Sequence, residues 1–266
     1  MNVKEVLKRK RETVERLKER RSLKEAILET KRAGEGAGKR AVIAEVKRRG
    51  LKEEGTKLQT EIGSVEAARR MQNGGACAIS VLTDEAFLGS LEDLRAVKLS
   101  EVELPVLRKD FIFDEFQVHE SYASGADAVL LIARFLSAKR LRELARKAAS
   151  FGLEALVEVD GESWRKIFEA DLEGISESVL VGVNNRDLRT LEVDLETFER
   201  VAAEVKPRLA ELPAEVVLVA MSGIEGEEEA SRMFAAGADA LLVGTAVMNS
   251  GTEKIEEKVR EFVGAR

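Results

Sequence analysis

The chain of 266 residues contains one cysteine, Cys77, and one histidine, His119. A lone thiol excludes an internal disulfide framework, and one Cys with one His leaves almost nothing from which to build a zinc site or a thiol–imidazole couple. No stretch approaches the roughly 18 uninterrupted apolar residues of a membrane span, so no membrane partner is expected. The N-terminus, MNVKEVLKRKRETVERLKERR, lacks the apolar run and small-residue cleavage site of an export signal, which points to the cytosol. An excess of positive charge is also missing. With 43 Lys and Arg against 49 Asp and Glu the net charge is −6, which argues against a nucleic-acid partner, and the basic N-terminal run reads as a solvated helix face.

Apolar residues are plentiful, at 44% of the chain, enough for a sizeable core. They gather in eight short runs: Ala41 to Lys47, Cys77 to Thr83, Pro105 to Asp110, Ala128 to Ala133, Glu154 to Val159, Val179 to Asn185, Val216 to Ser222 and Ala240 to Val247. Most are near-continuously apolar, the pattern of parallel strands covered on both faces. Three are entered through a similar phrase, Gly75-Ala76, Gly125-Ala126-Asp127 and Gly237-Ala238-Asp239, which reads as a helix ending on a left-handed glycine before a buried strand. Amphipathic stretches lie between, such as Ser137 to Phe151, with Ser137 as cap, and Leu195 to Val205. The spacing predicts an α/β protein, a single (β/α)8 TIM barrel over residues 39–266; strand count alone does not distinguish this from an open doubly wound sheet.

Residues 1–38 read as an N-terminal helical extension. Val3, Val6, Leu7, Val14 and Leu17 mark one helix face expected to pack on the barrel, and Ser22 caps a second helix through Leu23, Ala26 and Ile27. Gly34 to Gly38 reads as a joint and Gly50 to Ser64 as a polar loop. The charged helices offer no large apolar interface, so a monomer is expected.

In such a barrel the chemistry sits where strands end. Glu45 and Lys47, two apart, share a face and form either a structural pair or part of a site. Lys109 closes the third strand, as a solvated end or an inward acid. Glu158 interrupts an apolar strand, which Glu rarely does without a role. Asn184 and Arg186 close the sixth. A Lys and a Glu facing one another across a mouth form an acid–base couple. Ser222-Gly223 and Gly244-Thr245 sit where barrels commonly bind phosphate, although glycines there also serve tight turns. Phe87 and Phe111 follow strands two and three and can line an aromatic pocket. His119 reads as a surface or capping residue, Cys77 as a small core hydrophobe, and Trp164 with Phe168 as a packing pair.

The phrases IAEVKR, ISVLTDE, GSLEDL, LPVLRKDFI, GADAVLLIA, GLEALVEV, VNNRDL and LVGTAVM occur in an order that resembles the indole-3-glycerol phosphate synthases, over roughly Ile43 to Met248. The resemblance implies a lyase of tryptophan biosynthesis that acts on a sugar-phosphate anthranilate adduct, 1-(o-carboxyphenylamino)-1-deoxyribulose 5-phosphate, without metal or organic cofactor. It implies Lys109 as general acid, Glu158 as base for the dehydration, Lys47 on the substrate carboxylate and sharing in proton transfer, with Glu45 holding it, and Asn184 as a hydrogen-bond partner. Arg186 would brace the carboxylates, Phe87 and Phe111 would pack on the aromatic ring, and phosphate would rest on Gly223, Gly244 and Thr245 beside Ser222. Two places depart from the family's pattern. Gly50-Leu51-Lys52 stands where Ser-Pro-Ser is usual and where the first serine helps bind phosphate, leaving Arg48, Arg49 or Lys52 as possible replacements. Met221 stands where the family has Glu, and is expected to point into the mouth. A diverged or engineered barrel with altered or lost activity, or a non-catalytic barrel binding an anionic or aromatic ligand, are the readings these departures leave open.

Overall fold

A computed structural model describes residues 2–34, 38–49 and 62–265. Eight parallel strands close in chain order: β1 (Ala41–Val46), β2 (Ala78–Leu82), β3 (Val106–Lys109), β4 (Ala128–Ile132), β5 (Glu154–Val159), β6 (Val179–Asn184), β7 (Leu218–Met221) and β8 (Ala240–Val243), with β8 paired back onto β1. Closure rules out the open sheet. Helices α1 (Val3–Lys18) and α2 (Leu23–Gly34) precede the barrel, and α3 (Ser64–Asn73), α4 (Leu91–Leu99), α5 (Glu115–Ser124), α6 (Ala138–Ser150), α7 (Lys166–Glu169), α8 (Glu196–Leu209), α9 (Glu227–Ala235), α10 (Thr245–Asn249) and α11 (Ile255–Val263) follow the strands. Ser137 caps α6 as expected, accepting from Arg140 N at 3.1 Å. Among the described residues no helix is long and apolar enough to cross a membrane.

Each strand alternates between two cores. On β1, Val42, Ala44 and Val46 face the shell beneath the helices, whereas Ala41 and Ile43 face the barrel interior. The same parity sends Leu107, Leu156, Leu180, Val219 and Leu242 inward. Burial of each such leucine contributes ~1.5–3 kcal/mol, and this pins the register. A residue two or four positions beyond an inward one is inward as well, which places Glu45 after Ile43, Lys109 after Leu107, Glu158 after Leu156, Asn184 after Leu180 and Met221 after Val219.

The glycines that open β2, β4 and β8 adopt the left-handed conformation, with φ of 95° at Gly75, 88° at Gly125 and 97° at Gly237. The aspartates of the repeat have a task of their own. Asp127 Oδ2 accepts from Val106 N at 2.8 Å and Asp239 Oδ2 from Leu218 N at 2.9 Å, so each ties the start of the preceding strand to its own.

Two expectations need correction. The eighth apolar run does not continue as a strand to Val247: β8 stops at Val243, Gly244 turns the backbone (φ −137°, ψ −63°), and α10 follows. Val247 and Met248 are apolar because one face of that short helix is buried, which a strand-like run does not reveal. The apolar face of α1 is also not covered along its length. Leu17 is buried, but Val3, Leu7 and Val14 are exposed. Polar links at the junction of α1 and α2 hold this end instead: Arg21 donates to Val102 O and Leu104 O at 2.9 and 3.0 Å, and Arg21 N donates to Asp127 at 3.0 Å. Leu23 and Ile27 of α2 join the interior core. Parts of the two expected loops, residues 35–37 and 50–61, lie outside the described residues.

Candidate active site

A cavity open to solvent occupies the C-terminal mouth of the barrel. Thirteen of the site residues singled out from the sequence line it: Glu45, Lys47, Phe87, Lys109, Phe111, Glu158, Asn184, Arg186, Met221, Ser222, Gly223, Gly244 and Thr245.

Two lysine–carboxylate pairs form its floor. Lys47 Nζ lies 3.0 Å from Glu45 Oε1, and Lys109 Nζ lies 3.7 Å from Glu158 Oε2. The solvated-end reading of Lys109 fails because its neighbours point the other way. Arg108 is buried outside the barrel, donating to Asp110 at 2.9 Å, to Gln117 O at 2.8 Å and to Ser121 Oγ at 3.0 Å. That network ties the end of β3 to α5 and leaves Lys109 facing inward. Asn184 Nδ2 donates to Glu158 Oε1 at 2.8 Å, and Asn184 Oδ1 accepts from Arg186 N at 2.9 Å. One oxygen on each glutamate, Glu45 Oε2 and Glu158 Oε2, is buried and accepts no hydrogen bond from the protein.

Burial pulls the Lys109 ammonium towards a lower pKa, but the charges of Glu158 and Glu45 outweigh it and hold Lys109 above its ordinary value. Burial likewise pushes Glu45 up, and Lys47 with Lys109 outweighs that, holding its carboxyl below the usual range. Both groups are therefore ionised at neutral pH: the Lys109 ammonium is able to donate a proton, and the Glu45 carboxylate keeps its charge beside Lys47. Burial lowers the pKa of Arg186, against the opposing charge of Glu225.

The aromatic wall is present: the rings of Phe87 and Phe111 stack at 6.5 Å between centroids. His119, Cys77 and Trp164 lie outside the cavity lining. His119 is exposed with Nδ1 2.8 Å from Glu115 O, burial pushes the Cys77 thiol up to about 12, and Trp164 meets Phe168 edge-on at 6.4 Å.

Sequence reasoning missed why three glycines are where they are. A Cβ on Gly244 would lie 2.5 Å from Glu45 Oε1, and one on Gly182 would lie 2.5 Å from Met221 Sδ. A Cβ on Gly223 would collide with Val193. Gly182 thus opens the space that Met221 fills: Met221 is 2% exposed and belongs to the interior apolar cluster while also lining the cavity. Ser222 and Gly223 adopt φ of 67° and 75°, and a non-glycine residue held there stores strain of ~1–3 kcal/mol. Of the basic residues offered as replacements for the missing serine, Arg49 lines the cavity, two residues on from Lys47 as Lys47 is from Glu45, whereas Arg48 is held by Asp93 and Lys52 lies outside the described residues. Gly50-Leu51-Lys52 lies outside the described residues.

Fold and site together define a (β/α)8-barrel enzyme whose lysine–carboxylate centre lies at the strand ends. The family model described as indole-3-glycerol phosphate synthase matches residues 2–262, and the chain belongs to that family. The chain is 44% identical over 216 residues to an indole-3-glycerol phosphate synthase of Mycolicibacterium vanbaalenii, covering 79% of this chain and 72% of that one. It is 43% identical over 211 residues to that of Mycobacterium avium, with the same coverage. Among solved structures, the tryptophan synthase alpha subunit of Legionella pneumophila superposes with a TM-score of 0.60 at 14% identity, covering 90% of this chain and 97% of that one. The thiamine phosphate pyrophosphorylase of Pyrococcus furiosus gives 0.54 at 19%, covering 85% and 94%. Both likenesses concern the fold alone.

Proposed function

We propose that the chain converts 1-(o-carboxyphenylamino)-1-deoxyribulose 5-phosphate to indole-3-glycerol phosphate in tryptophan biosynthesis, by ring closure, decarboxylation and dehydration. The observation that carries this reading is the Lys109–Glu158 pair, 3.7 Å apart across the mouth of a family barrel. Lys109 acts as general acid on the substrate's carbonyl oxygen as the aromatic carbon attacks the carbonyl carbon. Carbon dioxide then leaves from the ring, and Glu158 serves as the base when the hydroxyl departs as water. Such a couple contributes on the order of 10²- to 10⁴-fold.

Lys47, oriented by Glu45, meets the substrate carboxylate together with Arg186. Asn184 holds Glu158 and hydrogen-bonds the substrate. Phe87 and Phe111 pack on its ring, Met221 and Ser222 complete the wall, and Gly223, Gly244 and Thr245 take the phosphate. Residues 39–266 are the catalytic domain and residues 1–38 an extension docked on it. The reading includes a monomer acting in the cytosol. Altered or lost activity would rest on Met221 and on Gly50-Leu51-Lys52; the latter lies outside the described residues, and the burial of Met221 against Gly182 is that of a packing residue.

The test is to incubate the protein with this substrate and follow indole fluorescence and carbon dioxide together. Equimolar release of both is expected; release of neither by folded protein defeats the proposal.

A further inference from the structure

Four cationic side chains line the cavity: Lys47, Arg49, Lys109 and Arg186. The two lysines are each held by a carboxylate, Lys47 by Glu45 at 3.0 Å and Lys109 by Glu158 at 3.7 Å. Neither guanidinium has an ion-pair partner among the described residues. Arg186 donates to Leu191 O at 2.9 Å. Arg49 is held less firmly still: its Nε is buried and meets no acceptor, and its Nη1 reaches only Ala86 O at 3.5 Å, the outer limit of a hydrogen bond. A buried N–H left in this way disfavours the ligand-free site and is relieved by an incoming acceptor.

The neighbouring arginine is committed elsewhere. Arg48 points away from the cavity, where both of its terminal nitrogens bind Asp93, at 2.7 and 2.9 Å, and one also donates to Leu88 O at 2.9 Å. The chain just beyond β1 therefore carries a structural arginine, Arg48, next to one that faces the cavity, Arg49.

We infer that Arg49 is a substrate-binding residue whose guanidinium takes an oxyanion of the bound substrate, a second anion contact alongside Arg186. This rests on the proposed reaction, whose substrate carries both a carboxylate and a phosphate. A planar guanidinium suits either group, since both accept two parallel hydrogen bonds.

The test is steady-state kinetics of the full chain, of Arg49→Gln and of Arg49→Lys. A charge-assisted hydrogen bond corresponds to roughly ten- to a hundredfold in affinity. Arg49→Gln should therefore raise KM by about that factor with kcat within about threefold, and Arg49→Lys, which keeps the charge without the fork, should recover part of the loss. Inhibition by inorganic phosphate and by anthranilate identifies the oxyanion: the constant that weakens in step with KM marks the group held. An unchanged KM overturns the inference, and so does a raised KM with neither inhibition constant altered. If the unaltered protein does not turn the substrate over, the proposed reaction fails on its own, and calorimetry with inorganic phosphate and anthranilate decides the question. Weaker binding of either by Arg49→Gln then supports the inference, and equal binding of both overturns it.

Discussion

Gly244 leaves empty the volume that the Glu45 carboxylate occupies, and a Cβ there would lie 2.5 Å from Oε1 and 3.0 Å from Glu45 Cβ. Glu45 in turn holds Lys47 at 3.0 Å. Gly244→Ala should therefore act through Lys47 and lower kcat by roughly 10²-fold, as misplacement of a reacting group by about 1 Å does, while circular dichroism reports a folded barrel. A rise in KM with kcat unchanged would assign Gly244 to phosphate binding alone.

Met221 and Gly182 form a second pair of this kind. Gly182→Ala should cost ~1–3 kcal/mol by overpacking the thioether, and Met221→Ala ~2–5 kcal/mol by opening a cavity. Combined, the new methyl at position 182 occupies part of the space that Met221 vacates, so the double variant should be less destabilised than the sum by ~0.5–3 kcal/mol. Urea unfolding of the four proteins measures this; strict additivity contradicts the contact.

At the opposite end of the barrel, Lys98 Nζ lies 2.7 Å from Asp127 Oδ1 with both side chains fully buried. The same carboxylate receives Arg21 N and Val106 N. Lys98→Met should remove the buried ion-pair partner of Asp127, destabilising by ~3–5 kcal/mol and loosening the docking of α2, readable as faster amide exchange over residues 23–34.

Glu45 and Lys109 set a pH window. Glu45 has a lowered folded pKa, so its contribution to stability is present above its ordinary 4.5 and is lost as pH falls through the folded value. Lys109 has a raised one, so its contribution is complete below its ordinary 10.5 and is lost as pH rises through the folded value. From about pH 5 to 10 both stay ionised. The profile of kcat/KM should therefore show no alkaline limb from Lys109 below about pH 10; a limb below pH 9 that moves in Glu158→Gln would contradict the assignment.

Much of the barrel was legible because strand parity is visible in sequence. The runs around Leu107, Leu156 and Leu180 mark inward positions, and charged or amide residues two or four places on, Lys109, Glu158 and Asn184, must then face the mouth. Contacts between distant strands leave no such trace. Nothing near Gly244 signals that Glu45 of β1 needs its space, because that contact exists only once β8 closes on β1, and nothing near Gly182 signals Met221, because the packing of side chains between the neighbouring strands β6 and β7 is not written in either run. The end of β8 was misjudged because Val247 and Met248 are buried from a helix as well as they would be from a strand. The exposed face of α1 was misjudged because periodicity marks a face without saying what covers it.

The most direct test of the account separates its two proton-transfer roles in single-turnover experiments that follow carbon dioxide and indole independently. With Lys109→Ala, carbon dioxide release itself should slow by about 10²- to 10⁴-fold. With Glu158→Gln, carbon dioxide should leave at close to the unaltered rate while indole appears about 10²- to 10⁴-fold more slowly, the ring-closed hydroxy intermediate accumulating between. If carbon dioxide and indole appear in step in both variants, or if either variant keeps the unaltered rate of both, then Lys109 and Glu158 are not the acid and base of this reaction.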